Sequence, residues 1–187
     1  MWHLGVRFFG SLAPIGPRSS SEQWALDHLG PGERRLFAQM SGPDRRHAIG
    51  VARRALRLAA EDEQAAASEG NGSALPHAFV AAALLHDVGK IEARLGTFGR
   101  VWATLAALAL GRRRVVEWDA AGADTGSGER RRRMARYLEH DRLGAELLEQ
   151  AGSDELTVCW ARQHHLPEAR WTVDGRLGGY LKRADGD

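Results

Sequence analysis

The chain has 187 residues, 43% of them hydrophobic and 27% charged, a balance that excludes collagen, coiled coil and wholesale disorder and suits one folded domain. Its 26 basic and 24 acidic residues leave a formal charge of +2. Lys90 and Lys182 are the only lysines, so the basic side is arginine, a compositional habit that does not by itself point to nucleic acid. The lone cysteine, Cys159, cannot close an internal disulfide or build a CxxC metal or redox motif, which fits a reducing, cytoplasmic setting.

Residues 1–22 read as an irregular arm, because Pro14, Gly16, Pro17 and the serines at 19–21 break any period before Trp24 begins an apolar pattern. Residues 23–187 are then expected to form a single domain. His3 and Arg7 interrupt the apolar N-terminus, so no signal peptide is expected. A helix is expected from Gly42-Pro43-Asp44, with Asp44 as its cap and His47, Val51, Ala55 and Leu58 on one inward face. Residues 68–76 are turn chemistry, and Pro76 can open a helix that turns Phe79, Ala82, Ala83 and His86 to the core. The strongly apolar run Val101 to Leu110 ends at Gly111 and three arginines. It falls far short of the about 20 residues of a membrane helix, so no transmembrane segment is expected and the run reads as a buried or partner-facing helix.

Residues from about 111 to 130 carry glycine, serine and arginine without an apolar period and read as an inserted loop. Helical pattern resumes through Arg133, Tyr137, His140, Gly144 and Leu147 and stops at Gly152. Ser153 or Asp154 then caps a helix that presents Leu156, Cys159 or Trp160, and Gln163 or His164; a last helix is expected from about Leu177 to Ala184. No alternating strand pattern of useful length is present, so the expected fold is all-α without internal repeats.

Five of the eight histidines, His47, His86, His140, His164 and His165, fall near helix ends or on inward faces, with Asp87 and Asp185 beside them in the order of the chain. One such histidine is ordinarily a satisfied core residue. A core holding this many unpaired polar groups would be costly, at about 1–3 kcal/mol for each unsatisfied group. Metal ions would satisfy them together.

The motifs LLHDVGK, EHDRLGAELL and ARQHHLPE, ordered after His47 and before Asp185, resemble the HD-domain superfamily of metal-dependent phosphohydrolases over about residues 44–185. The resemblance implies a helical bundle with its metal site between helices. It implies one metal on His47, His86, Asp87 and Asp185, and a second on His140, His164 and His165 with Asp87 bridging. The two-metal branch that includes the HD-GYP cyclic dinucleotide phosphodiesterases is the nearest in pattern. No GYP signature follows the histidine pair; Gly178-Gly179-Tyr180 is only an echo of it.

Mixed imidazole and carboxylate ligation favours one or two divalent transition ions, Mn, Fe, Co or Zn, over Mg or Ca. The expected activity is therefore hydrolysis of a phosphomonoester, nucleotide or phosphodiester by a hydroxide held at the metals, with Asp87 as the bridge. Lys90 would neutralise charge on the phosphate, or else it caps a helix end. Trp171, just past the histidine pair, is a candidate wall of the substrate pocket. Gly144 would let two helices approach, while Asp44, Asp141 and Glu168 could orient ligands or simply cap and solvate helices. The runs Arg112–Arg114 and Arg130–Arg133 are solvated helix ends or a rim that gathers a small phosphorylated substrate or nucleotide. Only Trp118 lies between them, so nucleic acid is not expected. Two alternatives stand beside hydrolysis: a di-iron oxygenase of the same ligand order, and a regulatory module that binds a nucleotide without turnover.

Overall fold

The computed structural model describes residues 20–67, 75–119 and 126–186, and among them every regular element is a helix. The centre is α4 (Ala78–Leu85), whose sequence AFVAAALL is apolar all round. A helix with no polar face must be enclosed, and all eight of its residues are buried. It lies between α3 (Gly42–Ala67) and α10 (Glu155–Gln163), with α2 (Pro31–Gln39) also against it. Helix α11 (Gly175–Asp185) packs on α3, α9 (His140–Ala151) packs on α10, and α1 (Ser20–Asp27) rests on the start of α3. The ring of Phe79 meets Tyr180 edge to face at 6.4 Å, joining α4 to α11.

A second layer comprises α5 (Lys90–Ala93), α6 (Thr97–Leu110), α7 (Arg112–Val116) and α8 (Gly126–Leu138), which pack mainly on one another and reach the central group through α9. A two-oxygen ion pair ties this layer to α3, with Arg100 Nη1 and Nη2 at 2.6 and 2.7 Å from the carboxylate of Asp44. The terminal signals act as their chemistry requires. Asp154 accepts from the Leu156 amide at 2.9 Å and Asp174 from the Leu177 amide at 3.0 Å, each satisfying a donor that the first helical turn leaves open. Gly152 ends α9 with φ 75°, a left-handed conformation that costs glycine little.

Several boundaries differ from the sequence expectation. Ser20 to Glu22 belong to α1, not to the arm, and Glu22 Oε1 accepts from Arg45 Nε at 2.9 Å; residues 1–19 lie outside the described residues. The expected loop at 111–130 contains α7, a single 3-10 turn at Glu117–Asp119 and the start of α8. Val115 is completely buried there, and Asp119 accepts from Arg136 Nε at 3.1 Å, so the segment is anchored to α8. Residues 120–125 of that segment, and 68–74 of the earlier loop, lie outside the described residues. The long helix read through Tyr137 and Leu147 is two helices, broken at Glu139, whose φ and ψ are −104° and 15°.

Candidate metal centre

The histidine and aspartate side chains singled out in the sequence arrive at one place because helix ends converge there. His86 and Asp87 stand in the turn that follows α4, His164 and His165 in the turn that follows α10, and Asp185 is the last residue of α11. His140 opens α9, and His47 lies in the second turn of α3. The C-terminal ends of α4, α10 and α11 present their carbonyl-rich, partly negative ends towards this region, which favours a cation there.

Two sets form. In the first, His47, His86 and Asp185, and in the second, Asp87, His140, His164 and His165, each residue offers a ligand atom within 4.8 Å of all the others in its set. Asp87 faces both. Its Oδ1 lies 3.3 Å from His140 Nε2 and 3.7 Å from His164 Nε2, while Oδ2 lies 3.5 Å from His86 Nε2. Asp185 Oδ1 is 2.8 Å from His47 Nε2 and 3.6 Å from His86 Nε2.

The backbone selects the tautomers. His86, His140 and His164 each place Nδ1 at 2.9, 2.7 and 2.9 Å from the carbonyl oxygen three residues earlier, on Ala83, Tyr137 and Ala161. A carbonyl only accepts, so Nδ1 carries the proton and Nε2 keeps a lone pair directed into the centre. His86 Nε2 and His164 Nε2 are buried there with no hydrogen-bond partner. Nε2 of His140 and of His165 are 3.2 Å apart, close to the separation of neighbouring ligands that each sit about 2.1 Å from a shared ion.

Electrostatics favours the neutral form of His86 and His165 and the charged form of Asp87 and Asp185. Burial pushes His86 down to about 4 against the opposing charges of Asp87 and Asp185, and His165, on the exposed side of the site, is lowered by partial burial and by His164 and His140. Burial would raise Asp87, but Lys90 and the surrounding histidines overcome it and hold the carboxyl well below its ordinary range. Asp185 is likewise lowered against its own burial, chiefly by the hydrogen bond from His47. Imidazole nitrogens beside ionised carboxylates are the donor set of a transition-metal site, and the orphaned Nε2 atoms of His86 and His164 have no other use for their lone pairs. The residues fit a metal.

Close backbone packing sets the geometry. A Cβ on Gly89 would fall 2.0 Å from the His140 carbonyl oxygen and 2.5 Å from the Gly144 amide nitrogen, and one on Gly144 would fall 3.0 Å from Gly89 N. Two glycines therefore let the turn bearing His86 and Asp87 touch the helix bearing His140. Gly144 has the close-approach role its sequence position suggests; Gly89, in the HDVGK motif, is the tighter of the two.

Other named residues take definite places. Lys90 Nζ makes a close ion pair with Asp87 Oδ2 and also begins α5. Trp171 stacks edge to face on Trp160 at 5.3 Å and donates Nε1–H to the Leu166 carbonyl at 3.0 Å, so it supports the histidine turn from behind. It does not border the cavity of about 380 Å³ whose walls include Leu108, Arg112, Tyr137, His140 and His165. Asp44 is engaged by Arg100 and by Ser41 Oγ, which donates at 2.6 Å. Asp141 faces Arg112 at 3.6 Å. Glu168 lies in the 3-10 turn at Glu168–Arg170. Arg132 and Arg133 pair with Glu129 on their own helix, whereas Arg112 reaches the Leu138 carbonyl and a wall of the cavity.

Three positioning residues escaped the sequence reading. Arg54 on α3 donates to the Ala184 carbonyl at 2.7 Å, next to Asp185, and Lys182 donates to the His164 carbonyl at 2.7 Å. Gln163 clamps Thr172 through two bonds of 2.7 Å, closing the loop that follows the histidine pair. Gln163 lies in the ARQHHLPE motif and Lys182 three residues before Asp185, but neither position shows what its side chain will bond, and Arg54 stands outside every motif.

No protein-family model, curated protein or solved structure matches the chain. What the fold and the site define is an all-α protein with a buried group of histidines and aspartates that could hold a metal. Among the described residues, no helix is long and apolar enough to cross a membrane.

Proposed function

We propose that this chain is a metal-dependent phosphohydrolase of the HD type, acting on a small phosphorylated substrate. The observation that carries the reading is the pair of adjacent ligand sets, with Asp87 of one 3.5 Å from His86 of the other and the Nε2 atoms of His86 and His164 buried and unpartnered. Transition ions bound there would supply Lewis acidity toward a phosphoryl oxygen and make water a nucleophile at neutral pH. The protein's own residues do the remainder. Asp87 presents one carboxylate oxygen to each set, so its charge holds both. The carbonyls of Ala83, Tyr137 and Ala161 fix the imidazole rings, which avoids reorganisation when a ligand arrives. Lys90, half-buried beside Asp87, places positive charge where a phosphoryl group would gain it. The cavity bounded by His140, His165, Tyr137 and Arg112 gives a substrate access to the second set, and Arg112 offers it a guanidinium.

Elemental analysis of the metal-loaded protein should find close to two transition ions, with a panel of phosphomonoesters, nucleotides and phosphodiesters releasing product in Mn, Co or Fe. Asp87→Asn should abolish turnover and lower metal content while far-UV circular dichroism stays helical. Turnover above a tenth of wild type in that variant would contradict the shared role of Asp87. Oxygen consumption without phosphate release would replace hydrolysis by oxygenase chemistry.

A further inference from the structure

Helix α6 is amphipathic in the reverse sense. Its small residue Ala103 is fully buried, while Trp102 and Leu108 are 65% and 78% exposed and Val101 and Leu105 are nearly half exposed. The spacing of these four puts them along one outer stripe. A helix that serves a core turns its large apolar side chains inward. Here the inward contacts are made by alanine and by Arg100, the helix's single charge, which is directed at Asp44.

The surroundings of the stripe are basic. Helices α6 to α8, with the intervening 3-10 turn, carry arginine at 100, 112–114, 130–133 and 136 against Glu117, Asp119 and Glu129. The whole chain is only +2, so this layer is strongly positive and the rest of the chain is net acidic. Much of that charge is paired: Arg100 with Asp44, Arg112 with Asp141 at 3.6 Å, Arg113 with Glu117 at 3.3 Å, Arg132 and Arg133 with Glu129, and Arg136 with Glu92 and Asp119. Arg114 at the end of the stripe and Arg130 on α8 are exposed.

We propose that this face docks on an anionic lipid bilayer, with α6 lying in the plane of the interface, Trp102, Leu105 and Leu108 entering the acyl boundary and Arg113 and Arg114 meeting lipid phosphates. Large aromatic and aliphatic residues on one side, with arginine at the flank, are the composition of a helix that lies on a membrane. At 14 residues α6 is about 21 Å long, too short to cross the hydrocarbon core. Pairing of two copies through the same stripe would set two layers of net positive charge side by side, which like charge opposes; an anionic surface neutralises that charge. Leu108 and Arg112 belong both to this face and to the wall of the cavity that reaches His140 and His165, so docking would turn the mouth of the metal centre to the lipid surface. The docking itself requires nothing of the chemistry at the metals.

The test uses the full chain sedimented with vesicles of phosphatidylcholine alone and of phosphatidylcholine with about 30% phosphatidylglycerol. Binding should be at least about tenfold stronger to the anionic vesicles and should weaken with salt. The double variant Trp102→Ser, Leu108→Ser changes only exposed side chains, so its unfolding temperature should match wild type while vesicle binding drops about tenfold or more. Arg113→Gln with Arg114→Gln should weaken binding to anionic vesicles and flatten its salt dependence. Three results would overturn the proposal: no binding of wild type to anionic vesicles; binding that the double variant leaves unchanged; or a wild-type dimer that the double variant converts to monomer in the absence of vesicle binding, which would assign the stripe to a second copy.

Discussion

Gly89 shows how one residue without functional groups governs a site built of functional groups. Its alpha carbon packs against the His140 carbonyl and the Gly144 amide, both of them backbone atoms that cannot rotate away. Gly89→Ala should therefore separate the turn holding His86 and Asp87 from α9, at a cost of roughly 1–3 kcal/mol or more, since overpacking here can be relieved only by moving backbone. Urea denaturation would show the lower stability, and elemental analysis a loss of metal greater than that of Gly144→Ala, whose added Cβ meets its nearest atom at 3.0 Å, not 2.0 Å. Equal metal content in wild type and Gly89→Ala would mean that the two sets do not depend on this contact. The same scale explains why the HDVGK motif is compact: His86 and Asp87 supply ligands, Gly89 the approach, and Lys90 the charge on Asp87.

Between elements, the Asp44–Arg100 pair is the clasp joining α3 to α6. Asp44 is 8% exposed. Burial alone would raise its pKa, but the bidentate guanidinium together with Ser41 lowers it. Arg100 lies near one end of α6, and the apolar stripe of that helix contributes little inward packing, so the pair carries much of the attachment. Asp44→Asn leaves a half-buried guanidinium without its anion and should cost about 3–5 kcal/mol, whereas Asp44→Leu with Arg100→Met, which removes both charges, should cost less. Hydrogen exchange should locate the loss in α6 and α7 and spare α4. Uniform destabilisation across all helices would assign the pair to global stability instead. The expected role of Asp44 as a cap or ligand orienter gives way to this one because Arg100 is 56 residues away in the chain, a distance no local pattern spans.

For the whole molecule, the buried metal-type ligands make stability depend on pH in a defined direction. Burial lowers the pKa of His86 from 6.5 to about 4 in the folded protein. The unfolded chain takes up that proton first, so its contribution is complete above pH 6.5 and is lost as pH falls from there to 4, on the order of 3 kcal/mol by the lower limit. Asp87 and Asp185, both held below their ordinary value of 3.8, add stability that is present above that value and disappears at still lower pH. Metal-free protein unfolded in urea at about pH 7.5, 6 and 5 should show a falling midpoint. Added metal should raise the midpoint at each pH, and most at the highest, because protons compete with ions for the same lone pairs. A flat profile without metal would show that the imidazoles are not buried in the neutral state.

Much of this organisation was legible in the sequence because it is written in local chemistry. The apolar period of α3 and the all-apolar run of α4 require helices and burial, the side chains of Asp154 and Asp174 start helices where donors would otherwise be open, and Gly152 ends one. Histidine and aspartate at successive helix ends indicate a shared polar centre, since no core would hold them separately. What the sequence could not contain is position in three dimensions. The two ligand sets were implied by the family resemblance, and the Nδ1 locks of His86, His140 and His164 are local to their own turns; the distances among the ligands and the support from Arg54 and Lys182 arise only when α3, α4, α9, α10 and α11 meet. The apolar run at 101–110 makes the same point in reverse: its period establishes a helix and leaves open whether the large side chains face in or out. Packing decided it, because the layer of α7 and α8 admits only the alanine side of α6 and leaves Trp102 and Leu108 facing outward.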